Sequence, residues 1–136
     1  MRASPKMARP RTPATRSYGD SLARLVKVLM ARESPYDLVA GVRGRAIFGD
    51  ALMLNLVELD PDSDVPLHSH PHEQMGYVLE GEINMIVEGV DHWLKPGDAF
   101  QLPGGVEHAA KAGAAGCRVL DVFHPVREDY RDRLGA

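Results

Sequence analysis

Cysteine is almost missing from this chain: Cys117 stands alone among 136 residues. No internal disulfide can form, and the composition is that expected of a protein kept in the reducing cytoplasm. Long apolar runs are missing too. No stretch approaches the roughly 18 residues that a membrane span requires, and none follows the basic N-terminal residues in the manner of a signal peptide. A basic body is the third absence. The net charge is -3, yet Arg2, Lys6, Arg9, Arg11 and Arg16 give residues 1–16 a charge of +5 with no acid, which leaves -8 for the remainder. Such a body does not suit nucleic acid, and a charged head of this kind is expected to be solvated and disordered.

What remains has the composition of one globular domain, 44% hydrophobic and 26% charged, long enough to bury about 65–70% of its unfolded surface. In residues 17–33, Leu22, Leu25, Val26 and Leu29 recur at helical spacing behind Ser17 or Asp20 as N-caps, and "ESP" at 33–35 ends the run. The expected layout is a basic tail over 1–16, a helical arm over 17–38 and a β domain over 39–136. From Val39 onward the runs "VRGRAIF", "LMLNLVEL", "QMGYVLEG", "EINMIVEG", "AFQLP", "EHAAKA" and "CRVLDVF" follow one another between Gly, Pro and Asp punctuation. Short strands at this rhythm without helices between them predict an antiparallel sandwich or barrel.

"HSHPHEQMGYVLEGE", residues 68–82, concentrates polar side chains in one place. His68 and His70 are two apart, so on an extended chain both leave the same face, and Gln74 keeps that parity. Neutral imidazole is the commonest transition-metal ligand, which makes this pair either a platform for a divalent ion or a hydrated turn. Glu73 has the opposite parity and is expected at the surface. His72 lies beyond Pro71 and is read as a pocket or rim residue, with a ligand role as the alternative. A second stretch, "GDAFQLPGGVEHAAKA", carries Gly97, Pro103, Gly105 and His108. Gly81, Gly97 and Gly105 stand where tight turns need positive φ, and Pro103 stiffens the loop ahead of His108.

Together, H-x-H-x3-Q-x6-G and the second stretch resemble the two signature motifs of the cupin superfamily, over roughly residues 39–124. The resemblance implies an all-β, single-domain double-stranded β-helix, or jelly-roll barrel, behind the short N-terminal arm. It also implies His68, His70, Gln74 and His108 as ligands to one divalent transition metal (nickel, zinc, manganese, iron or copper). Two positions depart from the family pattern: Gln74 stands where a Glu is usual, and Ala112 where an Asn is common. An amide in place of a carboxylate leaves the ion its full +2 charge, which favours Lewis-acid chemistry on an anionic substrate over oxygenase chemistry.

The terminal run "VLDVFHPVREDY", residues 119–130, alternates so that Asp121 and Phe123 share one face and Leu120 and Val122 the other. Asp121 is therefore expected inside the barrel, with an edge-strand surface acid as the alternative. With this run included, the chain is similar to the small cupins of pectin degradation, which open 4,5-unsaturated uronates to the linear keto-sugar acid. That resemblance implies functional roles for Asp121, Phe123 and Arg127. His124 and Val126 depart from its pattern. The expected function is a metal-dependent, isomerase- or lyase-like enzyme acting on a sugar acid. The alternatives are a non-catalytic ligand-binding or sensing cupin and a metal-dependent dioxygenase. The remaining expectations are a homodimer formed through an apolar outer face at Met75, Tyr77 and Leu79, His92 at the surface, Cys117 as a small core or edge residue, the strand methionines Met53, Met75 and Met85 as core fillers, and a solvated "REDYRDR" tail.

Overall fold

Strict alternation builds the sheet. Along Val42–Phe48, residues Val42, Gly44, Ala46 and Phe48 are buried while those between them are half-exposed, so one face of the run looks inward. The computed structural model describes residues 33–134. Within them β1 (Tyr36–Val39), β2 (Val42–Phe48), β3 (Met53–Leu59), β4 (Asp64–His68), β5 (Glu73–Val87), β6 (Trp93–Leu94), β7 (Ala99–Leu102) and β8 (His108–His124) precede a short helix, α1 (Glu128–Arg133). The strands pair antiparallel in the order β1-β2-β3-β8-β5-β6, with β4 added to β8 and β7 to β5. This is the expected all-β jelly roll.

The two long strands fold the sheet over on itself. The Cys117–Phe123 half of β8 pairs with β3, and its first residues pair with β4. β5 runs beside β8 along nearly its whole length, with register shifts near Glu80 and Gly81. Gly81 (φ 71°) and Gly116 (φ 75°) face each other at this bend. A Cβ on Gly81 would collide with the Gly116 carbonyl, so only glycine lets the two backbones cross there. Gly97 and Gly105 also take the positive φ expected of them, 95° and 83°.

Inside the bend lies the main apolar cluster, with Val57, Val78, Ile83, Met85, Leu102 and Val119 at its centre. Each such side chain, fully withdrawn from water, contributes roughly 1.5–3 kcal/mol. Tyr36, Phe48, Met53, Phe123 and Val126 form a second cluster that closes one end of the barrel. Cys117 is buried, and burial pushes its thiol up to about 12, which leaves it protonated and inert at neutral pH.

Several expectations change. Residues 1–32, and with them the basic tail and most of the helical arm, lie outside the described residues. The arm's last residues are not helical, because Tyr36–Val39 pair with β2 across a turn closed by Gly41 at φ 76°. The barrel thus starts earlier than residue 39. "QMGYVLEG" and "EINMIVEG" are one strand bent at Gly81, and "EHAAKA" and "CRVLDVF" are likewise one, bent near Gly116. The terminal tail is not simply solvated. α1 brings Tyr130 edge-on to Tyr36 and Phe123, each at 5.9 Å between ring centroids. Met75 is 52% exposed and belongs, with Tyr77 and Leu79, to the outer face and not to the core that holds Met53 and Met85.

Candidate metal centre

β4 ends on His68 and β8 begins on His108, and the two are cross-strand partners. Sheet pairing, not closeness in sequence, therefore joins the two histidine stretches. His70 follows one extended step after His68 and meets both. Ring centroids are 4.3 Å apart for His68 and His108, 5.0 Å for His70 and His108, and 5.7 Å for His68 and His70. One ring nitrogen from each histidine falls within 4.8 Å of the others.

Each ring is aimed by a backbone carbonyl. Nδ1–H of His68 donates to Pro66 O (2.7 Å), that of His70 to His72 O (3.1 Å) and that of His108 to Val106 O (2.9 Å). The tautomer this selects leaves Nε2 of each ring as a lone-pair donor, the arrangement that second-shell hydrogen bonds impose on metal-binding histidines. Gln74, buried on β5, completes the group with Oε1 3.1 Å from His70 Nε2. Its amide hydrogen-bonds Asp121, so its NH2 faces the carboxylate and its oxygen faces the imidazoles.

His70 therefore has an acceptor at each nitrogen, although a neutral imidazole carries one proton. Protonation is not the remedy. Burial, helped by the charges of Arg127 and His108, pushes His70 down to about 4, and burial lowers His108 as well. A cation shared by Nε2 and the Gln74 oxygen satisfies both acceptors. The donor set, three neutral imidazoles and one amide oxygen, fits a divalent transition ion.

Behind Gln74, the inner face carries Ala46, Asn55, Asp121, Gly76 and Phe100 in one cross-strand row. Asp121 lines the cavity, as its parity with Phe123 implied. Burial pushes its carboxyl up to about 7, only partly offset by the Gln74 hydrogen bond and the Arg127 charge. Phe123 is buried, with its ring 5.7 Å from that of His70. Arg127 is buried too, but its fork is engaged: Nε and Nη2 donate to the Asp129 carboxylate at 3.1 and 2.7 Å, and the guanidinium lies 3.8 Å from the centre of the Tyr130 ring. A cavity of about 360 Å³ touches His68, His108, Gln74, Asp121, Phe123 and Arg127 together.

Glu73 and His92 are exposed, as parity and turn context implied. His72 is not one of the three clustered histidines, although its ring lies 5.6 Å from that of His70 and its carbonyl aims that ring. Asn55 is a cavity residue that the motifs did not reveal. The signal was available: in "LMLNLVEL" it sits on the apolar parity of Met53, Val57 and Leu59.

Comparison with known proteins agrees with this fold. Residues 55–123 match the cupin domain family. The pectin degradation protein KdgF of Dickeya dadantii is 30% identical over 101 residues, spanning 72% of this chain and 92% of that protein. The solved structure of KdgF from Halomonas sp. is similar at a TM-score of 0.70 and 31% identity, covering 75% of this chain and 94% of that one. An RmlC-like cupin from Shewanella frigidimarina has a TM-score of 0.69 and 32% identity, with coverage of 75% and 92%.

Proposed function

The chain belongs to the cupin family, and from that premise we propose that it is a metal-dependent enzyme opening the ring of 4,5-unsaturated uronates, as released from pectin or alginate, to the linear keto-sugar acid. One observation carries the reading: beside a cluster of three imidazoles, two of which line the same cavity, the Gln74 amide meets a buried carboxyl whose pKa burial raises to about 7, 47 positions away in sequence. Similarity to proteins named for pectin degradation supports the choice of substrate class.

His68, His70, Gln74 and His108 would hold the ion. Bound there, a divalent metal supplies Lewis-acid stabilisation of charge developing on the oxygens beside the substrate's double bond. The remaining work falls to the chain's own groups. Ring opening breaks the bond from the anomeric carbon to the ring oxygen while the anomeric hydroxyl loses its proton and becomes an aldehyde. The ring oxygen is left on an enol, which becomes a ketone when the neighbouring alkene carbon gains a proton. One proton leaves oxygen and one arrives at carbon, so the reaction is an isomerisation with no net proton change. Asp121 takes the first and returns the second; a carboxyl near neutrality suits both directions. Phe123 forms the apolar wall. Arg127 receives the substrate carboxylate, which replaces Asp129 on its fork.

The test is direct. Metal-loaded protein mixed with unsaturated galacturonate should speed the loss of the conjugated ultraviolet absorbance by at least about 100-fold over buffer, the lower end of what one positioned acid–base group provides. A rate equal to that in buffer, or in metal-loaded buffer without protein, rejects the reading.

A further inference from the structure

Asn55 has no visible structural reason to be polar. It is fully buried on the inner face of β3 and lines the cavity beside Asp121, its cross-strand partner. Among the described residues, neither its Nδ2 nor its Oδ1 has a hydrogen-bond partner. A buried amide left unpaired is costly, and an apolar side chain of the same shape would relieve that cost. Two more orphans lie nearby: the buried hydroxyl of Tyr36, which packs with the Asn55 amide over Gly44, and Oδ1 of Asp121. Small residues let these groups sit together: a side chain at Gly76 would strike the Phe100 ring and the Asp121 carboxylate. Ala46 and Gly76 flank the pair in the same row, and at Gly44 any side chain would strike both the amide oxygen of Asn55 and the Tyr36 ring.

We infer that Asn55 is a specificity-determining residue, the centre of a subsite that reads ring hydroxyls of a polyhydroxylated ligand. A carboxamide offers N–H donors and a carbonyl acceptor side by side, and two neighbouring hydroxyls, each able to donate and accept, complement it. The sugar-acid identity of the ligand rests on the uronate reading above; hydroxyl recognition itself rests on the orphaned amide.

The test pairs stability with recognition. In metal-loaded protein, Asn55→Leu should raise Tm by about 4 °C or more, because an unsatisfied buried amide is replaced by an apolar group of similar size. Titration calorimetry then compares two saturated, unreactive probes, D-galacturonate and tetrahydropyran-2-carboxylate, which share ring and carboxylate but not hydroxyls. The wild-type protein should prefer galacturonate by about tenfold or more, and Asn55→Leu should lose that preference while binding the bare ring equally well. Asn55→Ala gives the same comparison should the leucine variant fail to fold. A wild-type protein that does not bind galacturonate, or does not prefer it, overturns the inference. So does a folded variant, leucine or alanine, that keeps the preference. An Asn55-dependent preference without turnover of unsaturated uronates discards ring opening and supports the subsite.

Discussion

Asp121→Asn is expected to lower turnover of an unsaturated uronate by about 10²–10⁴-fold, or roughly 3–5 kcal/mol in the barrier, while metal content stays at its wild-type value. Asparagine keeps the shape of the side chain and an oxygen to accept the Gln74 hydrogen bond, but it can neither take nor return a proton. The metal should stay because Asp121 reaches the imidazoles only through Gln74. The same variant has a signature in metal-free protein. Burial raises the Asp121 carboxyl to about 7, whereas an unfolded chain ionises it near about 3.9. Between those values the folded form binds more protons, so stability from this group is complete below about pH 4 and is lost as the pH rises through about 7. Relative to wild type, Asp121→Asn should therefore gain more in denaturation midpoint at pH 7.5 than at pH 4. Turnover within threefold of wild type removes Asp121 from the chemistry, and an equal gain at both pH values removes the buried carboxylate from the energetics.

His108→Ala is expected to release the ion. A lost second-shell partner alone costs about 10–100-fold in metal affinity, so a deleted ligand should cost at least about 100-fold. His108 is the one member of the cluster supplied by β8, and its ring lies nearest to that of His68. The fold should survive, since the main cluster around Val78 and Val119 does not depend on His108 for packing. Competition with a chromophoric chelator measures the loss, and circular dichroism checks the fold. A folded variant that holds the metal as tightly as wild type would show that the three-histidine cluster is not the site.

Much of this was legible in the sequence, for a physical reason. His68, His70 and Gln74 lie on one chain segment where period-2 geometry fixes their common face, and Asp121 and Phe123 obey the same rule on β8. His108 was legible only through the spacing of its motif, because its place beside His68 is set by cross-strand register. Long-range pairing also explains where the structure differs from the expectations. Tyr36–Val39 has no alternation of its own and is a strand because β2 offers it an edge. "REDYRDR" reads as solvent-facing until Phe123 and Tyr36 give Tyr130 a surface to pack on. The engagement of Arg127 by Asp129 follows from the turn into α1, which composition does not encode. Asn55 breaks an apolar parity in plain view, but the lack of any hydrogen-bond partner for its amide among the described residues is a property of the folded surroundings.

X-ray absorption at the edge of the metal retained by protein purified without an affinity tag tests the central claim most directly. Three imidazole nitrogens and at least one oxygen at about 2.0–2.2 Å, with one ion per chain, are the expected result. A tightly bound ion with fewer than two imidazoles in its shell, or a folded chain that takes up no divalent transition ion, would contradict it.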